Sequence, residues 1–198
     1  MKKRVIAVSA LALASVAVLA GCRSHDAAGS GKAKTDLKAA IVTETGGVND
    51  RSFNQSAWEG LQSWGKENNL KKGTGYQSNS ASDYTTNYNS AEQQGYKLLF
   101  GTGFSLQDAT SAAAKNNPKS NFVIVDSVIK DQKNVASATF ADNESAYLAG
   151  VAAAKATKTN KIGFIGGMQS DVITRFEKGY EAGAKSVNPD IKVDVQYA

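Results

Sequence analysis

The chain has 198 residues, of which 41% are hydrophobic and 21% charged, enough for one domain or somewhat more. Its single cysteine and single histidine exclude an intrachain disulfide, a cysteine-rich zinc site and most histidine-based acid–base chemistry. The formal charge of +5 would suit a nucleic-acid ligand, but Lys2, Lys3 and Arg4 supply three of these charges.

The first 21 residues have the pattern of a bacterial lipoprotein signal peptide. A basic start precedes the uncharged stretch 5–20, which is shorter than the roughly 20 apolar residues of a membrane span. The stretch ends in Leu-Ala-Gly before Cys22, a pattern typical of a lipobox, in which the cysteine thiol receives a diacylglyceryl group. Cys22 is therefore the predicted lipidation site, and removal of residues 1–21 leaves a net charge of +2, which argues against nucleic acid. A plain signal peptide or a short membrane helix is the alternative.

Residues 22–35 are small, polar and charged and predict a flexible tether, after which β-rich runs alternate with helical periods. Ser52 and Gln55 form a capping-box pattern that places the start of the first helix at Ser52. The alternation predicts βαβ units, a parallel sheet and helices on both of its faces. The predicted strands are 37–43, 76–80, 96–100, 121–126, 135–140, 161–165 and 191–197, and the predicted helices are 52–69, 83–94, 105–116, 143–158 and 172–187.

The loops that follow the predicted strands carry glycines, carboxylates, amides and aromatic rings, and ligands of open α/β sheets bind at this edge. Such residues suit a planar ligand, because rings stack on it and carboxylates accept its hydrogen bonds. Each candidate also has a structural explanation. Phe53 and Phe176 fit helical stripes, Asp50 suits a helix N-terminus, and Asp126 suits a turn.

The sequence lacks the Gly-x-Ser-x-Gly, His-Glu-x-x-His, EF-hand and Walker motifs, and it offers no candidate nucleophile–base pair. This favours a binding protein over an enzyme and predicts no cofactor and no metal.

Residues 42–61 (VTETGGVNDRSFNQSAWEGL), together with 98–104, 122–126 and 164–183, resemble the basic membrane protein family. These are substrate-binding lipoproteins of ABC importers, similar to the purine nucleoside receptor A proteins. The resemblance implies the α/β class and a type I periplasmic-binding-protein fold, with two doubly wound parallel-sheet lobes and the ligand between them. Lobe one would hold residues 36–140 and lobe two would begin at 141. Because family members are longer, the second lobe is expected to be incomplete.

By this resemblance, Phe53 and Phe176 would sandwich a purine base, and Asp50, Asn54 and Asp126 would contact base and ribose. The protein would be a monomer that captures purine nucleosides and delivers them to ABC permease and ATPase subunits. Its lipid anchor would hold it on the extracytoplasmic face of the cell membrane, with no nucleic-acid partner.

Two other functions stay open at this point. One is a lipid-anchored receptor of the same fold, in which a sugar or signalling ligand feeds a sensor kinase. The other is a nucleoside or glycoside hydrolase that uses Asp50 and Asp126 as its carboxylates. We also expect weak binding or none by the chain alone, since the cleft would lack much of one wall.

Overall fold

The computed structural model describes residues 36–198. Every predicted strand and helix is present, with ends within about two residues of the predicted ones, and short 3₁₀ turns lie at Gly47–Asn49 and Phe104–Leu106. The strands are β1 (Ala39–Thr45), β2 (Thr74–Ser78), β3 (Leu98–Thr102), β4 (Asn121–Val125), β5 (Val135–Ala138), β6 (Lys161–Gly166) and β7 (Lys192–Tyr197). The helices are α1 (Phe53–Glu67), α2 (Asp83–Gln93), α3 (Gln107–Asn116), α4 (Asp142–Ala156) and α5 (Asp171–Val187).

The first five strands form one parallel sheet in the order β2-β1-β3-β4-β5, which is a doubly wound arrangement. Helices α2 and α3 cover one face, where the core includes Tyr88, Leu99, Leu106, Phe122 and Ile124. Helix α1 covers the opposite face by packing its Leu61 on β1. The alternation of strands and helices along the sequence therefore produces a parallel sheet with helices on both of its faces.

The face beneath α1 is only partly covered by the described residues. An apolar groove of about 350 Å³ lies beside this helix, and Trp64 at its border is 39% exposed. Trp58 of the same helix packs against the core cluster beneath α1. The groove is lined by Ile41, Ala57, Gly60, Leu61, Trp64, Phe100, Thr102 and Val125.

Strands β6 and β7 form a second, two-stranded parallel sheet, on which α4 and α5 pack. The two helices approach closely, because a Cβ on Gly150, Gly179 or Gly183 would overlap backbone atoms of the opposite helix. The chain passes from the first sheet to the second through residues 139–141, between β5 and α4. The lobe boundary expected after residue 140 falls in this passage and stays a prediction.

Candidate functional site

The strand order of the first sheet reverses between β1 and β3, and ligands of such sheets bind at this switch point. The end of β1 and the loop after β3 are tied together there. Glu44 Oε1 accepts hydrogen bonds from the backbone N–H and the hydroxyl of Ser105. Gly103 permits this contact, since its φ is +106° and a Cβ at this position would overlap the Glu44 carboxylate. The switch point is thus a polar edge at which hydrogen bonds join the end of β1 to the loop after β3.

Asp50 lies in the loop between β1 and α1 and caps that helix. Its carboxylate accepts hydrogen bonds from the backbone N–H groups of Ser52 (2.8 Å), Asn54 (3.0 Å) and Gln55 (3.0 Å). Partial burial acts to raise the pKa of Asp50, but the hydrogen bonds from Gln55, Ser52 and Asn54 outweigh it and hold the pKa below its usual value. Asp50 is therefore an ionised, fixed acceptor at the start of α1.

Asn54 ties the first turn of α1 to the centre of the sheet. Its side-chain Oδ1 accepts a 2.8 Å hydrogen bond from the hydroxyl of Thr102 on β3, and both residues are buried. The structure therefore brings Asn54 and Asp50 together at the switch point. In this arrangement both side chains hold the loop and helix in place.

Asp126 lines a cavity of about 260 Å³ between the first sheet and the start of α5. It adopts a left-handed backbone, with φ of +63°, and its Oδ1 is buried without a hydrogen-bond partner among the described residues. Burial raises the pKa of Asp126, as do the carboxylates of Asp142 and Glu44, while the Arg175 guanidinium opposes this rise. The cavity is lined by Phe104, Gln107, Asp126, Ser127, Val128, Thr139, Ser170, Asp171, Val172 and Arg175.

The opposite wall of this cavity is the N-terminal part of α5. Ser170 caps the helix by accepting a hydrogen bond from the Ile173 N–H, and Arg175 lies one turn further on. Arg175 donates from Nε (2.9 Å) and Nη2 (2.8 Å) to Asp142 Oδ2 at the start of α4. The helix N-terminus and the guanidinium thus place positive potential opposite Asp126.

The Arg175–Asp142 pair is absent from the residues predicted by sequence reasoning. The loop 167–170 after β6 leads to the start of α5, on which Arg175 lies. The two partners are 33 residues apart and lie on different helices, so no local period or spacing connects them. Only the packing of α4 on α5 brings them together.

The two predicted stacking rings do not line this cavity. Phe53 is half-buried at the first position of α1 and belongs to neither core cluster of the first sheet. Phe176 is half-buried on α5, next to Arg175. The ring contacts in the described part of the chain do not include a Phe53–Phe176 pair. Their joint stacking on a base stays a prediction.

Cys22, the signal sequence and the tether lie outside the described residues. Within residues 36–198, no helix has both the length and the apolar character needed to cross a membrane. The same residues contain no cluster of three or more potential metal-binding side chains.

A doubly wound sheet with polar groups at its switch point, followed by a second α/β unit across a cavity, defines a type I periplasmic-binding-protein fold. Solved structures agree with this class. A solute-binding protein of an ABC transporter system from Aeropyrum pernix K1 superposes with a TM-score of 0.70 at 24% identity, over 82% of this chain and 47% of that one. The Caulobacter myo-inositol binding protein gives 0.64 at 14% identity, over 82% and 55% of the two chains. At these identities the likeness concerns the fold.

Residues 37–198 match the family described as ABC transporter substrate-binding protein PnrA-like, and the chain belongs to this family. It is 92% identical to the "ABC transporter nucleoside-binding protein BmpA" of Lactococcus lactis subsp. cremoris, over the whole chain and 58% of that protein. It is 50% identical to the "CD4+ T-cell-stimulating antigen" of Listeria innocua, again over the whole chain and 58% of the relative. Basic membrane protein A of Borreliella burgdorferi is 33% identical over 85% of the chain and half of its own length.

The family match confirms the resemblance predicted from the sequence, and the description of the family is that of a substrate-binding protein, not of an enzyme. This argues against the hydrolase alternative. The chain spans 58% of the length of the first two curated relatives described above.

Proposed function

We propose that the chain forms part of the substrate-binding protein of an ABC importer, and that its ligand is a purine nucleoside. Family membership and the 92% identity to a protein named as nucleoside-binding support the ligand class. The observation that carries the proposal is the cavity at the carboxyl edge of the sheet, which is lined by Asp126, a residue whose buried Oδ1 atom has no partner in the described residues. Ribose hydroxyl groups are donors of the kind that such an oxygen accepts.

In the proposed complex, the remaining predicted residues also contact the nucleoside. Hydrogen bonds from Ser52, Asn54 and Gln55 hold the Asp50 carboxylate in place, and in the proposed complex it would also accept one from an N–H group of the base. Asn54 lies beside it, and Phe53 and Phe176 would stack on the two faces of the base. An aromatic stack on a base contributes roughly 1–3 kcal/mol.

The binding mechanism that we propose is capture followed by closure. The polar groups at the start of α1 and after β4 meet the ligand first, and the second α/β unit then moves about the passage 139–141. The cavity of about 260 Å³ is smaller than the roughly 300–1,000 Å³ of typical small-molecule pockets. The described residues would therefore form only part of the closed site. The closed form would dock on a permease as a monomer.

The predicted anchor would place this binding unit outside the cytoplasm, attached to the membrane through lipid on Cys22. Metabolic labelling with an alkyne fatty acid tests this step. We expect labelled protein from the native sequence and none from the Cys22→Ser variant, whereas equal labelling of both would contradict the anchor.

Calorimetric titration of inosine and guanosine tests the ligand. We expect binding by a form extended to the length of the curated relatives and a loss of about 5–150-fold in affinity for Phe53→Ala, which corresponds to about 1–3 kcal/mol. Tyr147→Ala, an exposed aromatic side chain on α4, is the matched control and should leave affinity unchanged. Unchanged affinity of the Phe53→Ala variant would contradict stacking of this ring on the base and would leave Phe53 with a packing role only. Binding of ribose or myo-inositol in place of nucleosides would contradict the proposed ligand.

A further inference from the structure

A lysine precedes each strand of the first sheet. Because the five strands are parallel, their starts lie along one edge of the sheet, opposite the strand ends that form the candidate site. Neighbouring strands lie about 4.8 Å apart, so five strand starts extend over about 19 Å. The lysine row, as we call it, comprises the lysines that stand within three residues before a strand start: Lys38, Lys71, Lys72, Lys97, Lys119 and Lys133.

Most of the lysine row is exposed and has no acidic partner. Lys97 is paired with Glu92, with 3.0 Å between Nζ and Oε2, and the half-buried Lys38 donates to the carbonyl oxygen of Gln94. The other members are exposed and form no ion pair or hydrogen bond through their side chains with the described residues: Lys71, Lys72, Lys119 and Lys133. Their ammonium groups are therefore free to interact with a partner outside the chain.

The basic charge of this edge is local. Residues 36–198 contain 17 basic and 17 acidic side chains, so the described part of the chain has no excess of positive charge. At the edge with the lysine row, the acidic residues beside strand starts and helix ends are Asp36, Glu67 and Glu92. Where the strands end and the helices begin, they are Glu44, Asp50, Asp83, Asp108 and Asp126. The first α/β unit is therefore polarised, with lysines at its strand starts and carboxylates at its strand ends.

Helix dipoles account for only some of these charges. A helix C-terminus favours Lys66 in the last turn of α1 and Lys115 in the last turn of α3, and a helix N-terminus favours Asp83 and Asp108. This effect falls off within the last turn, whereas the lysine row lies beyond the helix ends, and sheets have only small net dipoles. The dipoles of the fold therefore do not explain a lysine at every strand start.

The predicted lipid anchor is attached on the side of the lysine row. Strand β1 begins at Ala39, so the segment before residue 36 joins the folded unit at this edge. The 14 residues from Cys22 to Asp36 span at most about 50 Å when fully extended. Lipid on Cys22 would therefore keep the lysine row close to the surface of the membrane.

We propose that the lysine row binds the anionic phospholipid headgroups of this membrane surface. The same surface repels the carboxylates at the opposite edge, so the candidate site points away from the membrane and stays open to its ligand. Each lysine close to an anionic membrane strengthens binding by about fivefold. The inference goes beyond the proposed function, because the attraction depends neither on the nucleoside nor on the lipid anchor.

Vesicle sedimentation tests this surface without the lipid anchor. The protein is the chain from residue 22 with Cys22→Ser, and the vesicles contain phosphatidylglycerol and phosphatidylcholine in equal parts, or phosphatidylcholine alone. We expect at least about tenfold tighter binding to the anionic vesicles, and loss of this difference in about 1 M salt, where the screening length is only about 3 Å. Equal binding to both kinds of vesicle, or a difference that persists in high salt, would overturn the proposal.

Charge reversal within the lysine row tests its location. Lys72→Glu/Lys119→Glu should weaken binding to the anionic vesicles at least about tenfold, and Lys72→Gln/Lys119→Gln should give a smaller loss. The matched control is Lys155→Glu/Lys185→Glu, which makes the same change of charge in the last turns of α4 and α5 and should weaken binding less than about threefold.

Thermal melts by circular dichroism verify that each variant is folded, and the Gln variant decides the question if the Glu variant is not. Equal losses in the lysine-row variant and the control would overturn the proposal, because the total charge and not this edge would then attract the vesicles. Tighter binding to a DNA duplex than to anionic vesicles at the same salt concentration would also overturn it. Absence of nucleoside binding would contradict the proposed function alone.

Discussion

At the scale of single residues, Asp126 combines an uncommon backbone conformation with an unfavourable place for a charge. Its backbone is left-handed, with φ of +63°, a conformation that glycine, asparagine and aspartate adopt more readily than other residues. Burial and the neighbouring Asp142 carboxylate also raise its pKa, so the ionised form is held in an unfavourable place. A carboxylate retained under these conditions is consistent with a binding role.

Asp126→Asn should therefore stabilise the protein and weaken ligand binding. A carboxyl group whose pKa is raised by folding destabilises the folded state above that pKa, and the effect disappears as pH falls below the ordinary value of 3.8. We expect Tm at pH 7 to rise by about 1–2 °C, because solvent screening limits such a partly exposed interaction to about 0.5 kcal/mol. Thermal melts at pH 7 and pH 3 measure the difference.

The gain in Tm should vanish at the lower pH, where the native carboxyl is already protonated. The same variant should bind inosine at least tenfold more weakly in the extended form, since the ribose hydroxyl groups lose a charged acceptor. A variant that is less stable at pH 7, or one that binds as tightly as the native protein, would contradict this account of Asp126.

Sequence reasoning placed Asp126 correctly at the end of a strand because strand ends follow from composition and hydrophobic pattern. Sequence reasoning also predicted the helix start at Ser52, from a capping box formed by Ser52 and Gln55, but the structure does not contain this capping box. Helix α1 does begin after Ser52, but the Ser52 side chain makes no capping hydrogen bond, and Gln55 Oε1 accepts from the N–H of Arg51. The Asp50 carboxylate supplies the cap from two residues earlier, a choice that depends on the three-dimensional path of the loop.

At the scale of elements, the contact of α4 with α5 sets the position of the cavity wall. A Cβ on Gly183 would overlap the carbonyl oxygen of Tyr147, and one on Gly179 would overlap that of Asn143. The obstructing atoms belong to helix backbone, which cannot move aside as a flexible side chain can. Arg175 and Phe176 lie on the same helix, so the helix spacing also controls the candidate site.

Gly183→Ala should therefore push the helices apart and lower the free energy of unfolding by about 1–3 kcal/mol, the usual range for overpacking. Gly60→Ala is the matched control, because Gly60 lies in the interior of α1 and its Cβ would meet no atom within 4 Å. That change should stabilise the protein by about 0.4–1 kcal/mol through a less flexible unfolded chain. Urea unfolding of both variants measures the two effects.

An equal free energy of unfolding for the two variants would show that α4 and α5 can move apart without destabilising the protein. The glycine spacing in α5 is visible in the sequence as Gly179 and Gly183, four residues apart on one face. The helical period therefore predicts the small-residue face. It does not identify the opposing helix, which only the fold provides.

At the scale of the whole molecule, the two α/β units differ in how well their sheets are covered. The first sheet has five strands with helices on both faces, whereas the second has two strands, and isolated two-stranded sheets are marginally stable. Ile165 on β6 is 82% exposed, Leu148 on α4 is 69% exposed, and Met168 is 58% exposed. Parallel sheets are normally covered on both faces, so this apolar surface is unusual for a finished unit.

A form extended to the length of the curated relatives should cover this surface and stiffen the second unit. Hydrogen exchange measures the change segment by segment. We expect the amides of β6 and β7 to exchange quickly in the present chain and at least tenfold more slowly in the extended form, because added strands and helices would bury them. The amides of β1 and β3 are the internal control and should exchange slowly in both forms, since each of these strands is paired with a neighbouring strand on both sides. Inosine should bind the extended form more tightly, because closure needs a rigid second wall. Equal exchange of β6 in the two forms, together with equal inosine affinity, would mean that residues 36–198 already constitute the complete binding unit.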